Sequence, residues 1–320
     1  MRIKQGLIGI LRFSVALGIL SLLFSKIPLS EILAAIHSAK INYLLAAFSL
    51  SLLTQVILAH RLRFLTDQQG MLFTSSEILE INLSSVFYGL FLPGGNLAAG
   101  AVRFFKLSKV DRKFSEAFVS LIFDRIIATI TLCMLGVLFW LIESPLHTGY
   151  IGMGMILALG LSSTPYMLIF RRDPSHFWSK YFGSIKWPPV SKKVNRLFSS
   201  LNQYQKLSPN SLAYIFSLSI TGQLLGILIF YLLAVSLGIN ISFVTIGWIR
   251  SAVLIISMVP ISVSGLGIRE GASLFLLMPY GVPGEKALAL SFLIFATTLL
   301  LIGALGGFLE GRKQILSGAR

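Results

Sequence analysis

The chain of 320 residues is 55% hydrophobic and only 12% charged, with a mean hydropathy of +0.82. Soluble domains carry about 25% charged residues, so a water-soluble fold of this size could not cover so much apolar surface. The net charge of +15 is no nucleic-acid signature, because the basic residues collect in short connections between apolar blocks, as the positive-inside bias requires.

In chain order, residues 7–25 form a first apolar block without an A-x-A-like cleavage site, and are expected to be a span. Residues 29–37, with Leu29, Ile32, Leu33 and Ile36, suit a short interfacial helix. Residues 41–60, 115–141, 149–170, 211–238 and 286–308 are further membrane-length blocks, a span needing about 20 helical residues.

Two stretches are less regular. Residues 77–92 break at Pro93-Gly94-Gly95, and 243–259 break at Pro260 before a second apolar run to Tyr280. Read as re-entrant hairpins over 77–107 and 243–281, they leave 20 of the 27 basic residues inside, 3 outside and 4 at membrane depth. A full crossing at 77–92 would carry the basic 103–113 and 171–206 connections outside, against that bias.

The expectation is a single all-α integral membrane domain over 1–320, with six spans, two re-entrant hairpins and both termini cytoplasmic in the cell membrane. The hairpins enter from opposite sides, and Pro93…Arg103…Glu116 echoes Pro260…Arg269…Glu285, which suggests an inverted repeat. Ordinary kinked helices are the alternative. The 171–210 linker is basic and, from Val190, amphipathic through Val194, Leu197, Phe198 and Leu201, as expected of a helix on an anionic cytoplasmic leaflet.

Charges inside membrane helices are costly and need a reason. Asp124 and Arg125 lie about ten residues into their block and, being adjacent, point about 100° apart, so each wants a partner elsewhere. Arg125 is a candidate anion ligand, with a structural interhelical ion pair as the plainer reading. Arg103 lies on the arm returning from Pro93-Gly94-Gly95-Asn96; a cytoplasmic anchor is its plainer reading.

Ser264-Gly265-Leu266-Gly267-Ile268-Arg269-Glu270-Gly271 is the densest signal, a flexible helix start presenting an arginine and a glutamate. A local Arg269–Glu270 cap is its plainer reading. No strand precedes it and its glycine spacing is not a dinucleotide fingerprint. Glu80, Asn82, Gln223 and Arg250 rank behind these, and Gly303, Gly307 and Gly311 suit close helix packing. A single cysteine, Cys133, and four scattered histidines support neither a disulfide nor a metal site, and no cofactor is expected.

These motifs resemble the lysylphosphatidylglycerol synthase transmembrane-region family, the flippase-like membrane part of the multiple peptide resistance factor, over about 7–310. Members often carry an acid three positions before the first-hairpin arginine, where this chain has Gly100. The resemblance implies lipid translocation or an accessory role. The sequence to Arg320 holds no aminoacyl-transferase domain, so aminoacylation is not expected.

The expected function is a flippase or translocase for an anionic or polyprenyl-phosphate-type lipid. Arg103, Arg125 and Arg269 would hold the headgroup, with Asp124, Glu270, Gly265, Gly267, Asn96 and Glu80 supporting them. Membrane lipids are the expected partners and nucleic acid is not. The alternatives are a non-catalytic partner of a lipid-modifying enzyme, or a transferase using a lipid-linked donor. The outside acids Glu31, Glu143 and Glu285 are too scattered to favour the transferase.

Overall fold

The structure, a computed structural model, describes residues 14, 17–92, 95–109, 112–143, 149–169, 188–258 and 265–318. Within these residues it is helical, with no strand. Helix α1 (Leu17–Lys26) turns by 82° into α2 (Leu29–His37) across Pro28. Then come α3 (Ile41–Gln68), α4 (Ser75–Phe91), α5 (Asn96–Lys109), α6 (Phe114–Glu143) and α7 (Gly149–Ile169). The second half holds α8 (Pro188–Gln205), α9 (Pro209–Ser236), α10 (Phe243–Ser257), α11 (Ile268–Leu277), α12 (Gly284–Phe295) and α13 (Leu301–Gly318). A π-helical turn, Ala296–Leu300, joins the last two.

Among the described residues, α3, α6, α9 and the continuous run Gly284–Lys313 are long and apolar enough to cross a bilayer, and the bent pair α1–α2 would be a fifth. The chain is a multi-pass membrane protein. Its outer surface agrees: Leu45, Leu157 and Phe308 are 58%, 63% and 71% exposed, an arrangement suited to lipid rather than water. Of the two other expected spans, 7–25 lies partly outside the described residues, and α7 is 21 residues with Pro165 inside it.

The two irregular stretches are helical hairpins. Arms α4 and α5 pack on each other, as do α10 and α11. The arms have 17, 14, 15 and 10 residues, each shorter than the ~20 a crossing needs. At the first turn Gly95 takes φ 54°, and at the second Gly265 and Gly267 take 76° and 82°, values that residues with a Cβ rarely adopt.

Helix boundaries recur at a fixed displacement. Helices α3 and α9 both have 28 residues and start 168 positions apart, at Ile41 and Pro209. Each ends on a left-handed glycine, Gly70 at φ 68° and Gly238 at 66°. The residue after each glycine donates back into its helix, Met71 to the Thr66 carbonyl and Ile239 to the Ala234 carbonyl, both at 3.0 Å. The next N-caps, Thr74 and Ser242, accept from Glu77 and Thr245, again 168 apart.

Packing follows the same scheme. α3 lies against α9, α4 against α13, and α10 against α6. The α4–α13 contact is close because of glycine: a Cβ on Gly306 would sit 2.1 Å from the Leu83 carbonyl oxygen, and one on Gly307 2.6 Å from the Phe87 ring. Gly303, Gly306 and Gly307 thus serve intramolecular packing, whereas Gly311, expected with them, faces open space.

The amphipathic linker helix is anchored in the protein. In α8, Tyr204 is fully buried, donates to the Leu65 carbonyl at 2.9 Å, and stacks on Phe123 at 4.4 Å between ring centroids. Leu197 and Leu201 pack against the same cluster, which includes Leu65, Val119 and Ile215. The apolar stripe expected to face lipid therefore faces the bundle along this part. Residues 170–187 lie outside the described residues.

Candidate functional site: two buried arginine clusters

The first cluster is built on the half of the bundle near the first hairpin. Helix α3 continues past the apolar run ending at 60, so Arg61 is a buried helix residue rather than a loop charge. Its Nε donates to Asp124 Oδ1 on α6 at 2.8 Å, and a terminal nitrogen donates to Ser219 Oγ on α9 at 2.8 Å. Ser219 in turn shares a 2.7 Å hydrogen bond with Thr131. Asp124 thus has its partner on another helix, in the interhelical pair that was one of the two expectations.

Arg103, on α5, lies within electrostatic reach of Asp124, Arg125 and Arg61. Its Nε is buried without a hydrogen-bond partner, and so is Oδ1 of Asn82 on α4. Arg125 is exposed on α6, and among the described residues no hydrogen bond or ion pair joins its side chain to Asp124. Among the described residues, Asp124 is thus bonded to Arg61 and is also the carboxylate that acts on Arg103, without a bond to it.

The second cluster starts at the left-handed turn before α11. Gly267 donates its N–H to Glu270 Oε2 at 2.7 Å, so the carboxylate caps the helix that carries it. Its other oxygen accepts from the Arg269 guanidinium and, at 3.3 Å, from Ser291 Oγ on α12. Arg269 also lies over the Phe295 ring, 5.1 Å from its centroid. Arg269 is 7% and Glu270 0% exposed. This is the local cap geometry, but the arginine also borders open space.

That space is a cavity of about 170 Å³ among α3, α9, α10, α11 and the end of α12. Its polar lining is Ser51, Thr54, Gln55, Arg250, Arg269 and Thr298. Arg250, on α10, donates to Gln223 Oε1 at 3.1 Å, and Gln223 donates to the Ala128 carbonyl at 3.1 Å. No carboxylate pairs with Arg250 among the described residues. Gly226 makes room for it: a Cβ there would lie 2.1 Å from a guanidinium nitrogen.

The structure thus distributes the expected headgroup ligands. Arg103 gathers with Asp124, and Arg269 with Glu270 and Ser291; among the described residues the two arginines share none of these partners. Glu80 pairs instead with Lys313 at 2.6 Å, and Lys106 with Glu310 at 2.5 Å, tying the first hairpin to α13. Gly265 and Gly267 supply the second turn, while the Asn96 side chain lies outside the described residues.

Sequence reasoning missed Arg61 and Gln55 and ranked Arg250 and Gln223 low. A signal for them existed. Ser51-Leu-Leu-Thr-Gln55 on α3 and Ser219-Ile-Thr-Gly-Gln223 on α9 share their Ser and Gln positions at the same displacement of 168. Ser51 and Gln55 both line the cavity, while Ser219 and Gln223 divide between the clusters, Ser219 on Arg61 and Gln223 on Arg250.

Compared with known proteins, the chain matches the family model described as the lysylphosphatidylglycerol synthase TM region over residues 9–306. No curated protein matches it significantly.

Proposed function

Since the chain belongs to the lysylphosphatidylglycerol synthase TM-region family, a family of membrane proteins related to lipid handling, we propose that it is a lipid translocase that moves an anionic headgroup between two arginine clusters. The observation that carries this reading is a surplus of cation inside the bundle: in each cluster a half-buried arginine, Arg103 or Arg250, has no carboxylate of its own among the described residues. Unpaired charge at membrane depth is costly, so a surplus in both halves calls for a ligand that supplies the missing negative charge.

The matching boundaries of α3–α4 and α9–α10 support an inverted repeat, with hairpin α4–α5 entering from the cytoplasm and α10–α11 from outside. Six spans, two re-entrant hairpins and cytoplasmic termini complete this topology. Alternating access is then a rocking of one half against the other about the α3–α9 contact. The anionic inner leaflet of the cell membrane is the proposed source of lipid, engaged by the basic linker. The role is transport rather than bond chemistry.

The test is reconstitution of purified protein in liposomes containing labelled anionic, zwitterionic and polyprenyl-phosphate lipids. Protein-dependent movement of at least one anionic lipid across the bilayer is expected. Failure of every labelled lipid to move faster than in empty liposomes would leave a non-catalytic partner of a lipid-modifying enzyme as the better reading.

A further inference from the structure

From the unbalanced charge around the cavity, we infer that Arg250 and Arg269 form a binding site for one singly charged phosphate-type oxyanion. The inference rests on the translocase reading for its biological meaning but not for its test.

Arg269 brings its own counter-ion, because Glu270 contacts its guanidinium. Arg250 does not: its partner is the neutral amide of Gln223. The cavity wall therefore carries two positive charges against one negative, leaving a net charge of one. A monoanion neutralises it, whereas a dianion would leave the reverse imbalance in the same poorly solvated space.

The remaining lining suits an oxyanion. Guanidinium groups donate in a planar fork matched to phosphate oxygens. Ser51, Thr54 and Thr298 add hydroxyls and Gln55 an amide, while Ile229, Phe230, Val253, Leu254 and Ile294 supply apolar walls. Gly226 is the second independent sign that the site is built, since any larger residue would displace the Arg250 guanidinium. Gln223 fixes Arg250 from behind and is itself held by the α6 backbone. Two sources share this chemistry, a phosphodiester headgroup and free dihydrogen phosphate.

The test uses full-length protein in detergent and reads thermal unfolding. Four probes are titrated: dihexanoylphosphatidylglycerol, inorganic phosphate at pH 6, dihexanoylglycerol, and citronellyl phosphate at pH 8, where it is a dianion. Stabilisation by the phosphodiester is expected, with none by the phosphate-free lipid and less by the dianion. If inorganic phosphate stabilises as well, the free anion is also a ligand of the same site.

Arg250→Gln should weaken binding by about tenfold or more, the loss expected for one charge-assisted contact. Arg250→Lys should recover part of it. The unliganded Arg250→Gln protein should unfold no earlier than the parent, since the substitution removes an uncompensated charge. No stabilisation by either monoanionic probe, the phosphodiester lipid or inorganic phosphate at pH 6, an undiminished effect in Arg250→Gln, or a stronger effect from the dianion would overturn the assignment. Binding without lipid movement in liposomes would retain this site and reject translocation.

Discussion

The two hairpins bury arginine in different ways. In α10–α11 the charge of Arg269 is met by the next residue, and the same carboxylate caps the helix start at Gly267. In α4–α5 no acid lies beside Arg103; the nearby carboxylate is Asp124 on α6, already bonded to Arg61. The α11 arm of the second hairpin is electrically self-contained, although Arg250 on α10 is not, whereas the first hairpin depends on helices far away in sequence, including α13 through Lys106–Glu310 and Lys313–Glu80. A self-contained arm can hold its shape while its surroundings shift. An arm held by remote partners responds when they move.

The largest effect should follow from breaking the self-contained pair. Arg269→Gln leaves Glu270 without its cation at 0% exposure, and should cost about 3–5 kcal/mol of stability. Adding Glu270→Gln should recover most of that loss in unfolding measured in detergent, because neither charge then remains. A double variant as unstable as the single one would show that the residues act through packing instead.

The remote pair should behave alike but somewhat less severely, since the Asp124 side chain is 12% exposed. Asp124→Asn should cost about 3 kcal/mol, because Arg61 and Arg103 then have no carboxylate between them. Arg61→Gln should rescue it, and Arg125→Gln should not, since Arg125 is exposed on α6. Rescue by Arg125→Gln would reassign the pair.

Gly306→Ala comes next. Its Cβ would meet the α4 backbone, which cannot rotate away, so a loss of about 1–3 kcal/mol is expected. Gly311→Ala, with open space around it, should be nearly silent. Lys313→Gln should have the smallest effect, less than about 1 kcal/mol, because Lys313 is 67% exposed and its pair is screened by solvent.

The helix breaks in both irregular stretches were legible in the sequence because backbone breaks have local causes. Pro93-Gly94-Gly95 and the Gly265–Gly267 turn cannot continue a helix cheaply, and the charges beside them are conspicuous in apolar blocks. Arg61 was not legible as a site residue. It follows the last of the apolar run, where a loop and a continuing helix look alike, and only tertiary packing carries α3 on to Gln68. Periodicity likewise shows that Arg250 lies on a helix but not that Gln223 faces it. Periodicity from Val190 shows the linker helix but points its apolar stripe at the leaflet; Tyr204 and Leu201 pack on the bundle instead, because an apolar stripe alone does not distinguish lipid from protein.

The central claim is that the hairpins are equivalent elements inserted from opposite faces, and their bases test it most directly. Leu72 and Asn240 are both exposed, lie 168 positions apart, and each precedes the N-cap of its hairpin. In a Cys133→Ala background, single Leu72→Cys and Asn240→Cys variants in intact cells would be exposed to a membrane-impermeant thiol reagent. The account predicts labelling at Asn240→Cys from outside and at Leu72→Cys only after the membrane is opened; labelling of both from the same side would contradict it.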